Sequence, residues 1–202
     1  PAEMVENALV GFAGLLPSLT SLNEGRILCL ANKESLVVGG ELIKKILSSG
    51  KGKLYPIDSE HVAIAKLLSC VDRSEVEKIL ITASGGAFRG LSRTELSNVT
   101  PETALSHPTW KMGAKITIDS ATMMNKGFEV IEAKWLFDFP LEKTEILLHD
   151  ESHVHSLLLL KDGSYLADVS APDMRGPIEY ALLEGKQPFR PVCVRKLSEL
   201  AP

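Results

Sequence analysis

Strand-length apolar runs alternate with helix-length amphipathic segments between residues 26 and 82 of this chain. Arg26-Ile27-Leu28-Cys29-Leu30-Ala31, entered from Gly25, has the length and composition of a buried strand. Ser35 to Leu47 repeats Leu36, Leu42, Ile43, Ile46 and Leu47 on a helical period, and Gly50-Lys51-Gly52 breaks it. Lys53 to Ile57 reads as a second strand, His61 to Leu68 as a helix, and Glu77 to Thr82 as a third strand. Such alternation predicts an α/β layer with a largely parallel sheet. Upstream, Val5, Leu9, Phe12, Leu15 and Leu16 recur at spacings of three and four, which predicts a helix bent or ended by Pro17.

The texture changes after the third strand. Ser84 to Pro108 is rich in Gly, Pro, Ser, Thr and Asn, and long connections of this kind are often lids. Pro101 to Leu105 is long enough for one helical turn. Thr122 to Phe137 predicts a long helix and Glu145 to Leu148 a strand. Val154 to Leu160 and Ser164 to Val169 flank Asp162-Gly163, a hairpin turn signal. Met174 to Leu183 predicts a last helix. With 45% apolar residues and a net charge of −4 over 202 residues, the chain is neither disordered nor a general nucleic-acid or lipid binder. No stretch approaches the roughly 18 apolar residues of a membrane span. Cys29, Cys70 and Cys193 make no CxxC pair and predict reduced, mostly buried thiols, as in a cytosol-like compartment. The chain opens without Met and stops after a polar stretch, so both ends are expected to be cut from a longer polypeptide.

Several side chains can carry chemistry. Asp58-Ser59-Glu60 stands where a strand meets a helix, the place where α/β sheets bind ligands. Its carboxylates suit a hard cation, and equally suit a helix cap. Ser84-Gly85-Gly86 also follows a strand, and successive backbone N–H groups there can cradle an anion. Asp119 to Gly127 adds Ser120, Asn125 and Lys126 near a helix start, which favours phosphate, with Glu129 on the Lys126 face. A capping serine with an exposed ion pair is the plainer alternative. Lys33 follows the first strand; a lone lysine at a helix start is usually solvated, and the small cost of its charge there would be offset by a bound anion. In His107-Pro108-Thr109-Trp110 the histidine can donate to an anion and the tryptophan can cover a ligand, or both can simply pack. His149, His153 and His155 form a separate cluster in which two rings share a strand face, a spacing open to zinc.

In this order and spacing the motifs resemble one family, 1-deoxy-D-xylulose 5-phosphate reductoisomerase. The resemblance runs through Leu30 to Leu36, Asp58 to His61, Ser84 to Arg89, His107 to Trp110, Asp119 to Glu129, Ile131 to Phe137 and Pro172 to Arg175. It implies the tail of a Rossmann-like parallel-sheet domain (residues 1–50), then an α+β catalytic domain with a mixed sheet and a long lid loop (51–202). It implies an NADPH- and Mg²⁺- or Mn²⁺-dependent reductoisomerase of non-mevalonate isoprenoid biosynthesis. The enzyme would rearrange and reduce a deoxyxylulose phosphate to 2-C-methyl-D-erythritol 4-phosphate.

On the matching positions, Asp58, Glu60 and Glu129 would hold the metal and, with Lys33, carry the catalysis. Ser84, Ser120, Asn125 and Lys126 would hold the phosphate. Lys33, Ser59, Glu60, His107, Trp110 and Glu129 would also meet the substrate, with Trp110 and Met112 in the lid. Asn32, Glu34, Gly113 and Met174 would approach the cofactor. A sugar-phosphate substrate and a homodimer are implied, in a bacterial cytoplasm or a plastid-type organelle, with no nucleic-acid or membrane partner. The family's N-terminal Gly-rich turn has no counterpart here, nor does its C-terminal helical domain after about Leu200, so the chain alone is expected to recognise metal and phosphate without turning over. His153 stands where an apolar residue is expected. That keeps open a zinc hydrolase built on His149, His153 and His155, and a non-catalytic dimerisation module remains a third reading.

Overall fold

The computed structural model describes residues 2–108 and 110–200, the last two by backbone alone. Thr109 of the His107–Trp110 motif, and the terminal Pro1, Ala201 and Pro202, lie outside the described residues. Two sheets organise the fold. The first is parallel, with β1 (Met4–Asn7), β2 (Ile27–Leu30) and β3 (Lys53–Pro56) side by side in chain order. The crossovers are α1 (Leu15–Asn23) and α2 (Lys33–Ser48). Leu22, Leu28, Leu36 and Ile43 form the core between these helices and the sheet.

Leaving β3, the chain enters α3 (Ser59–Leu68) and then β4 (Val76–Ala83), the second strand of a mixed sheet. Two short helices follow, α4 (Arg93–Leu96) and α5 (Pro101–Ala104), and then α6 (Ala114–Ala121) and α7 (Met124–Phe137). The crossover ends in β5 (Thr144–Leu148), which lies parallel to β4. β6 (Val154–Leu160) and β7 (Tyr165–Val169) form the hairpin around Asp162-Gly163. After α8 (Arg175–Leu182), β8 (Val192–Val194) closes the order β5-β4-β6-β7-β8. Ile64 and Leu67 of α3 and Ala133 of α7 pack on Ile79, Ile81 and Leu158 of this sheet. Gly40 lets α2 meet α7 closely, because a Cβ there would overlap the Trp135 indole. Among the described residues, no helix is long and apolar enough to cross a membrane.

Four expectations need correction. The helical spacing of Val5, Leu9, Phe12, Leu15 and Leu16 spans a strand, a 3-10 turn (Gly11–Gly14) and the start of α1. Pro17 opens that helix rather than ending it, since a missing N–H costs nothing in a first turn. The stretch after Thr122 is preceded by another helix, α6, and the break falls at Met123, whose φ is 62°. Of the cysteines only Cys29 is buried, between the parallel sheet and α8, while Cys70 and Cys193 are exposed. His153 and His155 do not share a buried face: His155 is buried within β6, and His153 is exposed just before it. The β6–β7 register shifts between Val154 and Ser156, which breaks the simple alternation.

Candidate active site

Three helices begin beside one cavity, and each start has a local cause. Asn32 caps α2 by accepting from the Ser35 N–H at 3.0 Å, which sets Lys33 in the first turn just beyond β2. Asp58 caps α3 by accepting from the Glu60 N–H at 3.2 Å, which sets Ser59 and Glu60 just beyond β3. The left-handed backbone at Met123 turns the chain from α6 into α7, whose first turns carry Asn125, Lys126 and Glu129. The cap reading of Asp58 therefore holds together with any ligand role.

The carboxylates of Asp58, Glu60 and Glu129 converge, with one ligand atom from each lying within 4.8 Å of the others. Two ammoniums hold them. Lys33 Nζ donates to Asp58 Oδ2 at 2.6 Å, Asn125 Oδ1 at 2.8 Å and Glu129 Oε1 at 3.0 Å. Lys126 Nζ donates to Glu60 Oε1 at 2.5 Å and Glu129 Oε2 at 2.7 Å. Asn125 adds a bond to Glu129 Oε1 at 2.6 Å, and Ser59 donates to Glu60 Oε2 at 2.6 Å. The Lys126–Glu129 pair is thus buried, not the exposed pair of the plainer alternative.

Burial and charge pull these groups apart. Burial, reinforced by Glu129, lifts the Glu60 carboxyl to about 7. Asp58 is held well below the ordinary carboxylate range because Lys33 outweighs the effect of burial. Burial alone would lower Lys33 and Lys126, yet Asp58 and Glu129 hold the first, and Glu129 and Glu60 the second, above the usual lysine value. A buried ionic cluster is poor evidence of stability, because desolvation offsets the attraction. Divergent carboxyl affinities in a cleft are better evidence of a functional site. An all-oxygen anionic donor set fits a hard divalent cation such as Mg²⁺ or Mn²⁺.

One cavity of about 290 Å³ is lined by Lys33, Asp58, Ser59, Glu60, Ser84, His107, Trp110, Ser120, Asn125, Lys126, Glu129 and Met174. Met112 lines it as well. At one end a small recess is bounded by Ser84, Gly85, Ser120, Asn125 and Lys126. His107 Nδ1 accepts from the Trp110 backbone N–H at 2.9 Å, so Nε2 carries the proton and faces Ser84 Oγ at 3.1 Å. Burial and Arg89 lower the His107 pKa, which keeps the ring neutral and a donor there. Gly86 has φ 66°, and a Cβ there would run into the Ser120 carbonyl. Gly86→Ala should therefore push α6 off the recess, and an anion held there would bind roughly tenfold or more weakly, read by calorimetry with inorganic phosphate.

The cofactor positions divide. Met174 lies in the cavity wall, whereas Asn32, Glu34 and Gly113 are outside it. The Asn32 amide donates to the Gly11 carbonyl at 2.9 Å, Glu34 pairs with Lys115 at 2.6 Å, and Gly113 starts α6. Thr82, Ser152 and His155 also line the cavity, without having been singled out as substrate contacts. A strand-end threonine and a loop serine give no sequence signal. Glu132 was another omission, although its place three residues after Glu129 on one helix face was legible. Among the described residues, the groups of three or more possible metal ligands are Asp58 with Glu60 and Glu129, and Asp58 with His61 and Glu132. Neither contains His149, His153 or His155.

Comparison with known proteins follows the same geometry. The family described as 1-deoxy-D-xylulose 5-phosphate reductoisomerase matches residues 1–40, and its C-terminal domain matches residues 54–137. The reductoisomerase of Clostridium kluyveri is 51% identical over 185 residues, covering 92% of this chain and 48% of that protein. That of Geobacillus kaustophilus is 53% identical over 186 residues, covering 92% and 49%. The chain spans about half the length of the curated relatives it matches. A crystal structure of DOX-P reductoisomerase with NADPH, fosmidomycin and magnesium superposes with a TM-score of 0.86 at 39% identity, covering 100% of this chain and 52% of the other. The Zymomonas mobilis enzyme with NADPH gives a TM-score of 0.81 at 43% identity, with coverage of 100% and 52%. The chain belongs to the 1-deoxy-D-xylulose 5-phosphate reductoisomerase family.

Proposed function

We propose that this chain provides the metal- and substrate-binding part of an NADPH-dependent reductoisomerase. That enzyme converts 1-deoxy-D-xylulose 5-phosphate to 2-C-methyl-D-erythritol 4-phosphate in isoprenoid biosynthesis. Residues 1–50, with β3 completing their sheet, form the end of the dinucleotide-binding unit, and 51–202 form the catalytic unit. The carrying observation is the meeting of Asp58, Glu60 and Glu129 within 4.8 Å, beside a recess bounded by Ser84, Ser120, Asn125 and Lys126. Asp58, Glu60 and Glu129 would hold Mg²⁺ or Mn²⁺, which when bound supplies a Lewis acid for the substrate's ketone and hydroxyl oxygens.

This chain's own residues do the rest. The Lys126 ammonium, the Asn125 amide and the hydroxyls of Ser84 and Ser120 present donors to a phosphate beside the start of α7. His107 supplies the neutral N–H described above. Lys33 fixes Asp58 and Glu129 in one orientation and offers its charge to developing negative oxygen. Ser59 orients Glu60 and faces the substrate. Trp110 and Met112 exclude water when the Ser84–Pro108 segment and its continuation cover the cavity. Met174, in the cavity wall, would lie near the nicotinamide, and Asn32, Glu34 and Gly113 would serve the rest of the cofactor. A homodimer is the assembly, and a bacterial cytoplasm the setting, that the family resemblance implies.

Electron paramagnetic resonance of Mn²⁺ titrated into the chain tests this reading. One stoichiometric site is expected, with a spectrum altered by added 1-deoxy-D-xylulose 5-phosphate. No saturable site, or a site indifferent to the sugar phosphate, would overturn it.

A further inference from the structure

Beneath the three carboxylates, two fully buried polar atoms have no hydrogen-bond partner: His61 Nδ1 and Glu132 Oε2. They lie 3.7 Å apart and belong to different helices, His61 to α3 next to Glu60, Glu132 to α7 one turn beyond Glu129. The other imidazole nitrogen is engaged. His61 Nε2 donates to the Glu129 backbone carbonyl at 2.9 Å. Nδ1 therefore points the other way, with Asp58 Oδ1 at 3.4 Å. Phe137 stacks on the ring, with centroids 6.1 Å apart and planes inclined by 16°. The imidazole is thus a strut between α3 and α7, the two helices that supply Asp58, Glu60 and Glu129.

Two carboxylates compete for the Nδ1 side of that strut. The share taken by Glu132 leaves Asp58 freer to face the cavity. We propose that Glu132 is a positioning residue: through the His61 ring it sets the spacing of α3 and α7 and keeps Asp58 turned toward the cation site. This rests on reading Asp58, Glu60 and Glu129 as that site. Buried polar groups without partners need a reason, and outer groups that orient metal-binding carboxylates are one.

The test is Mn²⁺ affinity of the chain by electron paramagnetic resonance, with melting temperature recorded separately for each variant. E132Q is close to isosteric and replaces one of the carboxyl oxygens facing the His61 ring with an amide group. It should weaken Mn²⁺ binding by roughly tenfold or more, the scale of lost outer-shell partners. E132D keeps the carboxyl group on a shorter arm and should fall between E132Q and the unaltered chain. H61N should lose affinity as well, and H61N/E132Q should bind no more weakly than H61N alone, because Glu132 acts through the ring. Unchanged affinity in whichever of E132Q and E132D folds overturns the assignment. So does a double variant whose loss is the sum of the two single losses, or a drop in melting temperature with no change in affinity. D58N separates the two levels: if D58N binds Mn²⁺ as tightly as the unaltered chain, the cation reading falls. If D58N loses binding while E132Q keeps it, only the role of Glu132 falls.

Discussion

Replacing Glu129 with glutamine should weaken Mn²⁺ binding by roughly 100-fold or more, beyond the range typical of outer-shell changes. Glu129 is 1% exposed and both its oxygens are engaged, Oε1 by Lys33 and Asn125, Oε2 by Lys126. A glutamine keeps the shape but turns one of these acceptors into a donor, aimed at an ammonium or at the Asn125 amide. Lys33 keeps Asp58 and Lys126 keeps Glu60, so neither cation is stranded and the fold survives to be measured. The pH profile gives a second readout. Burial and the Glu129 charge raise Glu60 to about 7, so a cation that needs this carboxylate must displace its proton below that pH. Affinity in the unaltered chain therefore climbs with pH up to about 7 and levels off above it. Without the Glu129 charge the Glu60 carboxyl releases its proton more readily, and the residual climb in E129Q moves to lower pH. Calorimetric titrations across this range decide the matter. An E129Q variant with unaltered affinity and an unaltered profile would mean that the acidic cluster holds no ion.

How far the sequence disclosed this arrangement depends on where local signals agree. The alternation from Arg26 to Thr82 was legible because each strand is a short apolar run and each helix begins with a capping side chain, Asn32 or Asp58. The same junctions carry Lys33 and Glu60, so part of the site could be placed at strand ends before any coordinates. The opening segment misled because its apolar residues have helical spacing by coincidence, across three different elements. Nothing local announced the left-handed turn at Met123, since methionine pays steric strain there. Tertiary packing closes in just upstream, where Gly86 leaves room for Ser120 and Ala121 that a side chain would fill. The grouping of residues just beyond β2 and β3 with those of α7 around one cavity is likewise a product of topology, and only resemblance to a known family anticipated it. The pairing of His61 with Glu132 was not legible, because a partner 71 residues away leaves no trace in local periodicity.

Lys126→Met should move two affinities in opposite directions. Lys126 is buried, and its ammonium lies 2.5 Å from Glu60 and 2.7 Å from Glu129 while also bounding the recess beside Ser84 and Ser120. Methionine retains much of the stem and removes the charge. A phosphate-bearing ligand then loses a charge-assisted donor, and its affinity falls by roughly 100-fold, about 2.8 kcal/mol. The carboxylates lose one of their two ammoniums, so Mn²⁺ meets a more negative site and binds more tightly. The metal-free fold pays for the change, because breaking a buried pair from one side costs about 3–5 kcal/mol. Mn²⁺ reverses much of that cost by neutralising the stranded charges, and the stabilisation it gives grows as its affinity tightens. Thermal melts with and without Mn²⁺ should accordingly show a larger metal-induced rise in K126M than in the unaltered chain. A smaller rise, or phosphate affinity that survives the substitution, would show that Lys126 serves the fold and not the anion.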